Sequence, residues 1–299
     1  MLLLGNGSIE TTAMAPTEWT SERGVILSDV TKGFGDEFDS KLVVRDCSFK
    51  AEDGCLTVLI GPSGCGKSTL INLIAGYERP TSGRITCDGK DVSGPTRDRL
   101  VLFQETSLFP WMTVLQNVMY GPIVQGRRES AESGALDLLA KVGLRDFRDK
   151  YPNQLSGGMQ RRAELARTLI NQPRILLMDE PFRGLDAMTR QLMQEYLLKL
   201  FEGSGQTILF VTTEIDEAIL LADRLVLLSS APATVRELIS VDLPRPRDMS
   251  VFSMRRYVEL KSHVLGILYE EAVQSFAAGS RAAADLVQAF EMRHKAGAG

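Results

Sequence analysis

The chain has 299 residues, enough for one large domain or two ordinary ones around a sizeable core, which excludes a small stapled scaffold. Thirty-four Lys and Arg against 38 Asp and Glu leave a formal charge of −4, so no basic excess marks a nucleic-acid binder. With 44% hydrophobic and 24% charged residues the composition is that of an ordinary soluble globular protein, and its one oddity is histidine, present only as His263 and His294.

Residues 1–22 are rich in Gly, Ser and Thr without periodicity and read as a flexible N-terminal lead. The lead lacks the basic n-region and apolar length of a secretory signal, and no apolar run anywhere approaches the roughly 18 residues of a membrane span. If the protein works at a membrane, a partner supplies the span. Strands are expected at 25–27, 42–44, 56–60, 100–103, 175–178 and 208–212, several of them continuous apolar runs of the kind covered on both faces of a parallel sheet. Helices are expected at 68–75, 135–141, 158–170 and 190–201, and strands alternating with helices indicate an α/β fold. Residues from about 105 to 165 hold helices without a convincing strand, a helical insertion. After the Pro-rich stretch Asp242-Leu-Pro-Arg-Pro-Arg-Asp248, residues 250–291 read as a helical appendage, with Tyr257, Leu260, Val264, Leu265 and Leu268 near 3.6 spacing. The cysteines Cys47, Cys55, Cys65 and Cys87 have no CxxC spacing and no nearby histidine, which argues against zinc and for buried thiols in a reducing compartment.

The strongest motif is the run Gly61, Pro62, Ser63, Gly64, Cys65, Gly66, Lys67 and Ser68, a GxxxxGK[ST] match placed directly after an expected strand and before an expected helix. Its glycines let consecutive N–H groups surround a phosphate at a positive helix end. Lys67 can reach the terminal phosphates, the Ser68 hydroxyl can bind Mg²⁺, and Thr69 adds a second hydroxyl. Farther along, Ser156, Gly157 and Gly158 open a helix and read as a second phosphate-binding device. The strand in Arg174-Ile-Leu-Leu-Met-Asp179-Glu180-Pro181 ends in two carboxylates: Asp179 to hold Mg²⁺ through water, and Glu180 to orient or deprotonate an attacking water.

Leu155-Ser-Gly-Gly-Met-Gln160, followed by Arg161-Arg-Ala-Glu-Leu-Ala-Arg167, resembles the signature motif of ATP-binding cassette (ABC) ATPases. The resemblance spans about residues 25–240. It implies an α/β P-loop cassette over 23–240 with a mixed sheet core, a helical insertion subdomain at about 105–165 and a C-terminal helical extension over 241–299. It implies ATP and Mg²⁺ as ligands, and two cassettes sandwiching two ATPs, so that Ser156, Gly157, Gly158 and Gln160 face the nucleotide of a second subunit. Residue by residue, Phe34 matches the aromatic that stacks on adenine, Gln104 the glutamine that senses Mg²⁺ and water, and Asp186, in Arg183-Gly-Leu-Asp186, the acid of the loop crossing the dimer interface. Thr213 occupies the place of the family's switch histidine. Two readings stay open there: an active, slower ATPase in which Thr213 or a water substitutes, or a degenerate cassette paired with a different catalytic cassette.

Arg79-Pro-Thr-Ser-Gly83, Asp88-Gly-Lys-Asp-Val-Ser-Gly94, Phe103-Gln-Glu-Thr-Ser-Leu-Phe-Pro-Trp111 and Asp216-Glu-Ala-Ile-Leu-Leu-Ala-Asp223 look, more narrowly, like the nitrate, sulfonate, taurine and bicarbonate importers. That likeness implies a peripheral subunit on the cytoplasmic face of the plasma membrane, bound to a transmembrane permease and, through the complex, to a solute-binding protein. Cargo would be a small anion, with urea- or guanidine-like nitrogen compounds as the alternative. The apolar stretch Leu108-Phe-Pro-Trp-Met112 reads as permease contact or as ordinary core of the insertion. Repair-type cassettes split by coiled coils and paired-cassette translation factors do not fit one uninterrupted cassette; a non-catalytic regulatory subunit is disfavoured by Lys67, Asp179 and Glu180.

Overall fold

The computed structural model describes residues 21–35 and 41–279, so the expected flexible lead falls almost wholly outside it, as do residues 280–299 with His294. In chain order, β1 (Val25–Phe34) and β2 (Lys41–Ala51) form a hairpin, and β3 (Leu56–Ile60) leads into α1 (Lys67–Ala75). Next come β4 (Ser82–Cys87), β5 (Lys90–Asp91) and β6 (Arg99–Leu102). Three helices, α2 (Val114–Val124), α3 (Arg128–Lys141) and α4 (Gly157–Leu169), separate β6 from β7 (Ile175–Asp179) with no strand between them. The chain continues through α5 (Ala187–Phe201), β8 (Thr207–Thr212), α6 (Ile215–Leu221), β9 (Arg224–Leu228) and β10 (Val235–Ser240) to α7 (Arg255–Gly279).

The central sheet has six strands in the order β10-β9-β3-β8-β7-β6. Its pairs are parallel except β10 with β9, so the sheet is mixed. A second sheet, β2-β1-β4-β5, is antiparallel. Every residue of β3, β7 and β8 is buried, because successive side chains feed two different cores. Val58, Ile60, Met178 and Phe210 face the helices of the insertion together with α5, α6 and α7. Leu59, Leu177, Leu209 and Val211 face α1, through Leu70, Ile71 and Ile74, and the antiparallel sheet, through Val25, Leu27 and Phe49. The sequence reading missed β4, β5, β9 and β10. The first of these has three exposed residues out of six, and β10 is a half-exposed edge strand, so neither carries the apolar run that marks the centre of the sheet.

Helix α4 is pinned to the sheet by buried charge. Arg161 donates from Nε to the Pro181 carbonyl at 2.7 Å and from Nη1 to Glu164 at 2.7 Å, and its Nη2 lies 3.5 Å from the Glu180 carbonyl. Glu164 in turn accepts from both the backbone N–H and the hydroxyl of Ser107, at 2.9 and 2.7 Å. One buried ion pair thus joins α4, the segment after β6 and the end of β7. The loop after Ser107 is held by Asn117, fully buried, which accepts from the Phe109 N–H at 2.8 Å and donates to the Phe109 and Met112 carbonyls at 3.1 Å each.

The C-terminal helix is no mere appendage. Tyr257, Leu260 and Val264 of α7 are buried in the same core as α6, and Asp216 of α6 takes the Tyr257 hydroxyl and, at 2.6 Å, the Lys261 ammonium. Farther along, the buried Glu271 carboxylate accepts from the Ser230 N–H at 2.8 Å and pairs with Arg236 at 2.8 Å. Of the residues whose spacing predicted the helix, Tyr257, Leu260 and Val264 dock and Leu268 is half-buried, whereas Leu265 is exposed.

Two substitutions test this architecture in denaturant unfolding of the full chain. Leu260→Ala, which empties a fully buried site, is expected to cost about 2–4 kcal/mol; a loss under about 0.5 kcal/mol would show that α7 does not share the core. Arg161→Leu removes the cation bonded to buried Glu164 and should cost about 3–5 kcal/mol, a larger effect than Glu164→Gln with Arg161→Leu together.

Candidate active site

Strand register assembles the site. Ile60 of β3 lies opposite Thr212 of β8, and Val211 of β8 opposite Asp179 of β7. The loop opening at Gly61, the pair Asp179 and Glu180, and the segment Thr212–Thr213 therefore leave the sheet side by side at its C-terminal edge, where open α/β sheets hold ligands. Gln104 leaves the same edge two residues past β6, whose Leu102 faces Met178, and is exposed.

Backbone closeness shapes the phosphate loop. A Cβ on Gly61 would stand 3.0 Å from the Leu228 backbone oxygen and 3.1 Å from Cys65 Sγ. Gly66 has φ 119°, a conformation side chains rarely adopt, and a Cβ there would meet the Val43 carbonyl at 3.0 Å. Lys67 begins α1, is buried, and donates to the Gly61 and Pro62 carbonyls at 2.8 Å each, so its ammonium sits across the loop. Cys65 is buried against it; burial pushes its thiol up and the Lys67 charge pulls the other way. Ser63, Gly64 and Ser68 are exposed, and Pro62 and Thr69 half-buried, so the open face of the loop carries the N–H groups and hydroxyls. Phe34 ends β1 opposite Lys41, on the hairpin whose Val43 abuts Gly66. Its ring is 41% exposed, with the Lys32 ammonium 4.7 Å from its centroid.

Asp179 is buried at the end of β7. Burial pushes its carboxyl up, a hydrogen bond with Ser68 pulls it down, and its Oδ1 has no hydrogen-bond partner. An orphaned carboxylate oxygen beside a hydroxyl fits a hard cation. Among the described residues no three His, Cys, Asp or Glu side chains are placed to hold a metal ion by themselves, so most of such an ion's ligands would be phosphate and water oxygens, which is the habit of Mg²⁺. Glu180 follows in the left-handed region at φ 45°, a conformation of order 1–3 kcal/mol above ordinary ones. Its N–H is held by the Val211 carbonyl at 3.0 Å, and its carboxylate takes Arg183 Nη1 at 2.9 Å. A cavity of about 210 Å³ opens here, lined by Ser63, Glu180, Arg183, Thr212, Thr213 and Glu214 among others. Thr213 is exposed; the hydroxyl of its neighbour Thr212 is occupied by the Glu214 N–H at 3.0 Å.

The remaining expected site residues lie apart from this cavity. Ser156 caps α4, its hydroxyl accepting the Met159 N–H at 3.3 Å, and Gly157 and Gly158 are the first residues of the helix. Asp186 caps α5 the same way through Thr189 at 3.0 Å, which holds its carboxyl below the ordinary value. Ser156, Gly157 and Asp186 are exposed, and none of them lines the cavity beside Glu180. Gln160 is turned inward: its amide donates to the Pro152 and Leu155 carbonyls at 2.9 and 3.3 Å and accepts from Thr106 at 3.3 Å, so it braces the loop before α4. Arg161, Glu164 and the Arg183 to Glu180 contact escaped the sequence reading. The three-residue spacing of Glu180 and Arg183 across Pro181 was the visible signal for the last.

Residues 44–183 match the family described as ABC transporter. An ABC transporter ATP-binding protein of Methanocaldococcus jannaschii is 47% identical over 226 residues, 75% of this chain and 83% of that one. A taurine import ATP-binding protein of Yersinia pseudotuberculosis is 41% identical over 245 residues, 80% of this chain and 96% of that one. Among solved structures, a dimeric ATP-binding cassette in a post-hydrolysis state bound to ADP and Pi is similar at a TM-score of 0.65 and 30% identity, covering 74% of this chain and all of that one. With its fold and its sequence both those of a cassette ATPase, the chain belongs to the ABC transporter ATP-binding protein family.

Proposed function

We propose that this chain binds and hydrolyses ATP to power import of a small anion of the nitrate, sulfonate and taurine class through a separate membrane permease. The observation that carries the reading is the single sheet edge on which Lys67, Ser68, Asp179 and Glu180 converge. The loop amides and Lys67 hold the phosphates, and Phe34 offers an exposed ring for the base. Ser68 and Asp179, with Gln104, hold Mg²⁺, which when bound neutralises charge on the phosphate oxygens. Glu180 accepts a hydrogen bond or proton from the attacking water, and the products are ADP and phosphate. The exposed Ser156, Gly157 and Asp186 suit a second cassette across an interface, and closure of the pair would move the membrane subunit.

The anion reading rests on the narrow sequence likeness and on the taurine import relative. No helix among the described residues is long and apolar enough to cross a membrane, which agrees with a peripheral subunit docked on a permease. Within Leu108-Phe-Pro-Trp-Met112, Leu108 is core, whereas Trp111 is 69% exposed and stacks on Phe109 at 5.5 Å beside the exposed Tyr120. A rigid aromatic shelf of this kind suits a partner's apolar helix. The uncharged Thr213 favours a second reading of the same site, slow hydrolysis or pairing with a different catalytic cassette.

Phosphate release by the purified chain separates these: Glu180→Gln is expected to lower turnover by at least about a hundredfold with ATP still bound. Unchanged turnover would move the chemistry to another subunit. Trp111→Glu should abolish co-purification with the membrane partner while leaving thermal stability unchanged, because the ring is exposed. Retained co-purification would place the permease contact elsewhere.

A further inference from the structure

The cavity at the sheet edge is charged in its lining. Glu180, Glu214 and Glu217 stand on it with two guanidinium groups, Arg183 and Arg190. Glu217 is buried and takes the Gln194 amide at 2.8 Å, and Arg190 Nη2 is committed to the Leu185 carbonyl at 3.2 Å. Arg183 is the cation that meets Glu180, at 2.9 Å, and the turn between them is closed by the Arg183 N–H on the Glu180 carbonyl at 3.1 Å. The sole histidine among the described residues, His263, is on α7 and bonds Glu237 at 2.8 Å, so it does not serve this cavity.

Glu180 is otherwise held only by its backbone: N–H on Val211, carbonyl facing Arg161. Its side chain, 12% exposed, is oriented by the Arg183 Nη1 contact together with the packing around it. A carboxylate that must receive a water beside phosphate anions is repelled by them, and a fixed cation behind it offsets the repulsion without competing for the water's proton, since a guanidinium does not give up its own. Across the cavity, Thr213 presents a hydroxyl and no charge.

Building on the hydrolysis reading above, we propose that Arg183 is a positioning residue for Glu180, orienting its carboxylate toward the cavity and supplying the positive charge that Thr213 cannot. The Arg183 side chain is 65% exposed whereas the Glu180 side chain is only 12% exposed, so the contact sets a solvated cation on a largely buried carboxylate. A contact whose cation stays in solvent contributes little to stability, so its role is orientation. Its loss should therefore be felt in turnover and not in folding.

The test uses the full-length chain with three readouts: steady-state phosphate release, affinity for a fluorescent ATP analogue without Mg²⁺, and the thermal midpoint. Arg183→Ser is expected to lower kcat by about tenfold or more with KM, analogue affinity and thermal midpoint unchanged. Arg183→Lys should keep part of the rate, and Arg183→Ser with Thr213→His should regain most of it, because an imidazole across the cavity restores a cation near Glu180. Added to Glu180→Gln, Arg183→Ser should change nothing further. An unchanged kcat in Arg183→Ser, a parallel fall in affinity or thermal midpoint, or no recovery with Thr213→His overturns the proposal. If Glu180→Gln itself turns over normally, the hydrolysis reading fails instead.

Discussion

Parallel, in-register pairing of β3, β8 and β7 is the constraint on which the rest of the molecule depends. With Ile60 opposite Thr212 and Val211 opposite Asp179, three loops far apart in sequence start within a strand spacing of each other. The register is itself held by burial, since a slip of one residue would exchange the side chains feeding the two cores. The polar consequences follow from this apolar cause: a helix N-terminus, a buried ammonium and an orphaned carboxylate oxygen are brought to one edge because the strands beneath them have nowhere else to sit.

Around that edge the structure invests in backbone anchorage. Glu180 occupies a strained left-handed conformation, with its own N–H held by the Val211 carbonyl and the carbonyl of the next residue, Pro181, held by Arg161. The Arg161 and Glu164 pair links the same point to Ser107, and from there the chain enters the loop that presents Trp111. On the opposite side, α7 clasps α6 through Tyr257 and Lys261, and α6 is the helix that follows Thr213. The hydrolytic edge is thus bordered by two packed elements, one leading to the insertion and one to the C-terminal helix.

Much of this was legible in the sequence, and the legible parts share a cause. Gly61 through Ser68, Asp179 with Glu180, and the apolar runs of β1, β2, β3, β6, β7 and β8 are local patterns whose chemistry and periodicity need no partner to be read. The half-exposed strands β4 and β10 escaped because such strands have weak patterns, and the inward turn of Gln160 because its partners, Pro152, Leu155 and Thr106, are known only once the loop closes. The docking of α7 was half visible: the spacing of Tyr257, Leu260 and Val264 marked a face but not what it would meet.

By itself, then, the sequence determined that this chain carries a GxxxxGK[ST] run, two carboxylates at a strand end and no histidine before His263, because those are matters of residue type and spacing. Which groups stand beside Glu180 was decided only by tertiary structure. Arg183 lies three residues from Glu180 in a turn that could have pointed anywhere; the left-handed backbone at Glu180 and the Val211 carbonyl behind it turn the two side chains toward one cavity with Thr213. The histidine's absence is a fact of composition, whereas the charge that faces its place is a fact of the fold.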